Sequence, residues 1–160
     1  MTISTPQRRI IQHGLIILII GLLGGFLLAY SVMGYISFPP LPFTIDVQVP
    51  GTTAAWRAVH TGNIMNGLMA IILAGLFWVC DLTKKAQNWI SWSLLFVIYG
   101  NCIFYVGAVF APNRGLAIGD NAAGEGNLAG AIAFVPAVAA AYVLLIVIFY
   151  MLPRLKKATD

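Results

Sequence analysis

Charge is what this sequence has least of: 9% of its 160 residues are Asp, Glu, Lys or Arg, and 60% are apolar. A soluble domain carries about 25% charged and about 45–50% apolar residues. Nine basic and five acidic residues cannot cover a water-facing surface around so large an apolar fraction, which excludes an ordinary soluble domain and a disordered chain. The net charge of +4 and pI near 9.3 would suit a polyanion. Yet the basic residues are too few and too scattered to form a phosphate-binding stripe, so nucleic acid is not an expected partner. Cysteine is also scarce. Cys80 and Cys102 both fall in apolar runs and read as small core residues rather than a redox pair. There is no lysine-bearing phosphate loop, no nucleophile elbow and no His/Glu zinc helix.

What is present in quantity is long apolar sequence. Four uncharged runs stand out, at about 10–34, 58–80, 88–111 and 128–152. Each is long enough to cross a bilayer core of roughly 30 Å as a helix. The expected fold is therefore all-α: one integral membrane domain, 1–160, made of a four-transmembrane-helix bundle. The first run follows Arg8 and Arg9 but is longer than the roughly 7–15 apolar residues of a signal peptide, so it reads as a retained helix. With four spans, both termini and the middle loop share one side. That side holds Arg8, Arg9, Lys84, Lys85, Arg154, Lys156 and Lys157; the other holds only Arg57 and Arg114. This bias predicts cytoplasmic termini, in a bacterial protein of the inner membrane. The two loops on the outer side, about 35–55 and 112–127, are rich in Pro and Gly, long enough to fold as a cap or to be plain connectors.

The polar residues inside the runs carry the chemistry. His60, Asn63 and Asn66 recur every third residue in the second run, which suggests a single stripe. Tyr99, Asn101 and Tyr105 lie in the third. Counting about 1.5 Å per residue from the outer ends places Asn66 about 13 Å deep, Asn101 about 15 Å and Tyr105 about 9 Å. Two helices thus bring polar groups to one level in the outer half. Asparagines can simply hydrogen-bond across helices, but a His, several Asn and a Tyr at one level favour a functional cavity. His60 alone suits a metal ligand, a general base or a satisfied helix-end histidine. His13 lies at the opposite face of the bilayer, so one chain cannot place both on a single zinc ion. The absence of carboxylates from the spans argues against a proton pump or a carboxylate di-iron site. One histidine does suit a single axial bond to haem iron, with Arg57 and Arg114 placed to pair with propionates.

Several segments are similar to a known family. VPGTTAAWRAVHTGNIMNG (49–67), GNCIFY (100–105), APNRGL (111–116) with the following Gly119 and Asn121, and His13-Gly14 together resemble the styrene oxide isomerases, over nearly the whole length. The resemblance implies a small four-helix membrane protein that assembles as a homotrimer and binds haem b, with ferric iron, between subunits. It makes His60 the axial ligand and places Asn66, Asn101 and Tyr105 in the substrate site on the open face. It implies a Meinwald rearrangement of an apolar aryl epoxide, styrene oxide to phenylacetaldehyde, by a 1,2-hydride shift. Tyr105 and Asn66 would orient the epoxide and its developing oxyanion. Asn63 and Tyr99 depart from the family pattern, as does the loop 119–127, which lacks proline. Hydroxylaminobenzene mutases share the small four-span plan and the His-x5-Asn-Gly pattern, and form the alternative enzyme reading. A non-enzymatic haem-binding membrane subunit is the alternative outside enzymes.

Overall fold

The computed structural model describes residues 2–37 and 39–157. Four long helices dominate it: α1 (Thr5–Met33), α2 (Thr53–Gly75), α3 (Lys84–Ala108) and α4 (Leu128–Met151). Each starts where a side chain can take up an orphan backbone N–H. Ser4 caps α1 in a capping box with Gln7, and Thr52, Thr83 and Asn127 cap the other three. The first three helices begin some four or five residues before the uncharged runs do. The reason is that Arg8, Arg9, Arg57, Lys84 and Lys85 are ordinary residues of the first two helical turns, excluded from the runs only by their charge. All four helices are long and apolar enough to cross a membrane.

The fold is not purely helical. Between α1 and α2 the chain makes a small antiparallel hairpin of β1 (Tyr35–Ser37) and β2 (Thr44–Asp46), with Ile36 opposite Ile45. Gly34, at φ 76°, turns the chain out of α1 into β1, and its carbonyl accepts from the Val47 amide at 3.0 Å. The loop 112–127 is ordered by one buried residue. Asn113 donates to the carbonyls of Ala117 (2.9 Å) and Gly119 (2.8 Å) and accepts from the Gly115 amide (3.0 Å). The Asn121 side chain in turn donates to the Asn113 carbonyl.

The helices pair unequally. α1 lies on α2 along a glycine seam. A Cβ on Gly14 would meet Ile71 at 2.9 Å, one on Gly21 the Ile64 amide at 2.9 Å, and one on Gly24 the Val59 side chain at 2.8 Å. Small residues permit this close backbone approach. α3 and α4 meet the same way, Gly100 against Pro136 and Ala140, and Gly107 against Ala129 and Ala133. α3 also contacts α1 and α2, whereas α4 packs almost solely on α3. The arrangement is thus three mutually packed helices with a fourth on the flank. It leaves wide apolar faces outward, among them Ile19, Leu22 and Leu23 on α1 and Leu145 and Phe149 on α4.

The main core lies toward the end that carries both termini, here the terminal end. Ile10, Ile17, Ala70, Ile90, Leu94 and Ile98 are fully buried there. Gln7 reaches across to the Ala74 carbonyl at 3.1 Å. The last residues strap the α2–α3 loop: Asp81 N–H donates to the Arg154 carbonyl and Lys156 Nζ to the Trp78 carbonyl, both at 2.8 Å. Beneath this strap Cys80 is buried. Both cysteines are free, and both pack in or against the main core. At the opposite, long-loop end, the core shrinks to Trp56, Val59 and Val109.

Candidate functional site

Asn66 and Asn101, expected at one level, are in direct contact. Asn101 Nδ2 donates to Asn66 Oδ1 at 3.2 Å, and Asn66 Nδ2 donates to the Ile98 carbonyl at 2.7 Å. The pair bridges α2 and α3 through side chains that are buried or half-buried. A buried amide without partners costs roughly 1–3 kcal/mol; here each supplies what the other needs.

Tyr105 stands one turn above Asn101 on the same helix. Its ring packs directly on Gly62, where any Cβ would collide with the phenol carbons. Glycine at 62 is therefore a requirement of the tyrosine's position. Tyr105 lines a cavity of about 660 Å³ at the long-loop end, with Phe104, Ala55, Ala58 and Val109 as apolar walls and Arg114 at the rim. Arg114 is held there by its backbone. It is the one non-glycine residue with positive φ, 58°, among those described. That conformation is uncommon outside glycine and costs on the order of 1–3 kcal/mol; the Asn113 hydrogen bonds around it over-determine the turn.

His60 is placed differently. Its Nδ1 is 2.9 Å from the Gly21 carbonyl on α1, and its ring fills the space a side chain at Gly25 would need. It faces α1, not the Asn66–Asn101 pair. The expectation of a single stripe through His60, Asn63 and Asn66 is corrected by helix geometry. Each step of three residues rotates about 60° short of a full turn, so the trio winds from the α1 side to the α3 side. Asn63, between them, is fully buried. Its Nδ2 donates to the Val59 carbonyl at 2.9 Å, and its Oδ1 has no partner. Arg57 is exposed on α2 and does not line the cavity. His13, far from His60, shares a 2.7 Å hydrogen bond with the Tyr99 hydroxyl. No group of three or more His, Cys, Asp or Glu that could hold a metal ion occurs among the described residues.

Residues 6–155 match the family model described as styrene oxide isomerase. The chain belongs to the styrene oxide isomerase family. It is 29% identical over 132 residues to the styrene-oxide isomerase of Pseudomonas fluorescens, covering 82% of this chain and 77% of that protein. Membership makes the chain an isomerase acting on an epoxide. For a member of this family, the structure adds roles that single residues did not announce. Gly21 supplies the acceptor for His60, Gly62 the seat for Tyr105, and Asn113 the frame for Arg114. The Gly21-x-x-x-Gly25 spacing in α1 leaves room for α2 and the His60 ring to come this close. Nothing in the composition of 111–116 announced the third.

Proposed function

We propose that the chain is a haem-dependent membrane isomerase that converts an aryl epoxide such as styrene oxide to the aldehyde. The observation that carries the reading is the setting of His60. A ring nitrogen fixed by a backbone carbonyl is the usual arrangement of an imidazole whose other nitrogen serves as a ligand, because the hydrogen bond sets tautomer and orientation. Here Nδ1 is so fixed by Gly21, which leaves Nε2 available. The small residues Gly21 and Gly25 beside it keep that face of the helix pair low. These residues fit haem b, which His60 would hold through Nε2, with Arg57 and Arg114 as the cations for its propionates.

When bound, ferric haem supplies a Lewis acid toward the epoxide oxygen. The rest of the chemistry falls to the chain. Substrate and product are isomers, so no proton has to be delivered, which agrees with spans that carry no carboxylate. Positive charge gathers at the benzylic carbon, hydrogen migrates to it with its electron pair from the adjacent carbon, and the carbonyl forms there. The Tyr105 hydroxyl and the Asn66–Asn101 amides offer donors to the oxygen as it gains charge. The apolar cavity walls exclude water, which would trap the cation as a diol.

His60 and the Tyr105 cavity face different neighbours of α2. A site that uses both is completed by a second copy, which supports the homotrimer with haem between subunits. Four apolar helices and the Lys/Arg bias support insertion in a bacterial inner membrane with cytoplasmic termini.

The test is an absorption spectrum of the purified protein together with product analysis. A haem band in the unaltered protein, its loss in His60→Ala, and phenylacetaldehyde from styrene oxide are the expected results. A colourless protein from haem-replete cells that still turns over styrene oxide overturns the haem reading. A haem protein inert toward aryl epoxides overturns the substrate.

A further inference from the structure

We propose that the terminal end holds an anionic phospholipid in the groove between the start of α3 and the end of α4. This rests on the reading of α1–α4 as membrane spans. The groove has a volume of about 410 Å³ and is lined by Thr83, Lys85, Ala86, Trp89, Ile146 and Tyr150.

Its wall is built rather than incidental. Trp89 meets Tyr150 edge-on, with centroids 5.4 Å apart at 63°. Behind it, the Arg154 guanidinium lies 3.7 Å from the Tyr150 ring centre, and Nη1 donates to the Tyr150 carbonyl at 2.7 Å. The aromatic pair is thereby fixed from the basic side. Ile146, one turn deeper on α4 and 56% exposed, carries the apolar wall toward the membrane interior. This suits an acyl chain. Trp and Tyr gather where a bilayer meets water, at the depth of the glycerol and headgroup.

The rim selects the headgroup. Lys85 is the one cation that lines the groove and makes no hydrogen bond or ion pair among the described residues, whereas three other cations at this end are engaged elsewhere. Arg9 sits over Trp92 and on Asn88, Arg154 on Tyr150, and Lys156 on the Trp78 carbonyl. Asp81 is the one acidic residue described at this end, against seven basic ones. An apolar trough with one uncommitted ammonium at its mouth is complementary to a lipid carrying net negative charge. A zwitterionic lipid would bring its own cation to an already positive rim.

The experiment uses the full chain in lipid nanodiscs and reads quenching of tryptophan fluorescence by bromine-labelled lipid. The Trp89 contribution is taken as the difference from Trp89→Phe. Brominated phosphatidylglycerol is expected to quench Trp89 at about fivefold lower mole fraction than brominated phosphatidylcholine, the preference one lysine gives near an anionic surface. Lys85→Gln should bring the two lipids to parity. Lys84→Gln, whose side chain does not line the groove, should leave the preference in place. Equal quenching by both lipids in the unaltered protein overturns the proposal. So does an equal loss in Lys84→Gln, which would mean a diffuse surface potential. Failure of the protein to enter the discs overturns the spanning reading itself, separately from any headgroup preference.

Discussion

The two ends of the helix array are built to opposite rules. At the terminal end, Ile10, Ile17, Leu94, Ile98 and Val147 close into a core without exposed surface. At the long-loop end the helices part around a cavity of about 660 Å³ that Tyr105 lines, while the Asn66–Asn101 pair lies one turn below Tyr105 and outside the cavity's lining. The helices are the same; what changes along them is the residue type facing inward. Large aliphatics at one end fix the spacing of α1, α2 and α3, and the other end can then stay partly unfilled. Rigidity and reactivity are divided by depth rather than by domain.

That division is open to attack at both ends. Leu94→Ala removes a fully buried side chain from the terminal core, and should lower stability by about 2–5 kcal/mol in mixed-detergent unfolding. The activity of the molecules that remain folded should be unchanged. A mutant that loses turnover while staying fully folded would show that the two ends are not separable. Tyr105→Phe makes the opposite cut. Turnover of styrene oxide should fall by about 10²–10³-fold, the usual loss for one donor to a developing oxyanion, with unaltered unfolding. Unchanged turnover would remove the hydroxyl from the site.

Asn63→Leu tests the border between the ends. Its Oδ1 lies buried without a partner, a condition that costs about 1–3 kcal/mol, so an apolar side chain of similar size should stabilise the protein by about 1 kcal/mol. A loss of stability would show that the oxygen is engaged. The smallest effect is expected at the strap. Lys156→Met removes the hydrogen bond to the Trp78 carbonyl and should cost about 1 kcal/mol or less at an exposed site, with no change in turnover.

How far the sequence revealed this plan depends on the direction asked about. Position along the helix axes was legible, because a helix rises by a fixed amount per residue. Counting placed Asn66 and Asn101 together, and they touch. Position around the helix was less so. His60 turns toward Gly21 while Asn66 turns toward Ile98, since a three-residue repeat drifts and only packing decides which neighbour each face meets. The flanking place of α4 was not legible at all: its apolar surface suits lipid, another subunit or a bundle interior equally well. Nor was the β1–β2 hairpin, where a proline-rich stretch gives little alternation to read. Asn113 is the plainest gap, because its importance comes from the four backbone and side-chain groups that converge on it, none of which is predictable from its own type.

The glycine seam between α1 and α2 also has a meaning in time. Every residue in it, from Gly14 to Ile71, lies in the first half of the chain. During synthesis the α1–α2 hairpin can close as soon as both helices have left the ribosome. Gly21 is then already in place to receive His60. The histidine can thus be oriented before Asn101 and Tyr105 have left the ribosome, and the later helices arrive at an imidazole whose direction is already set.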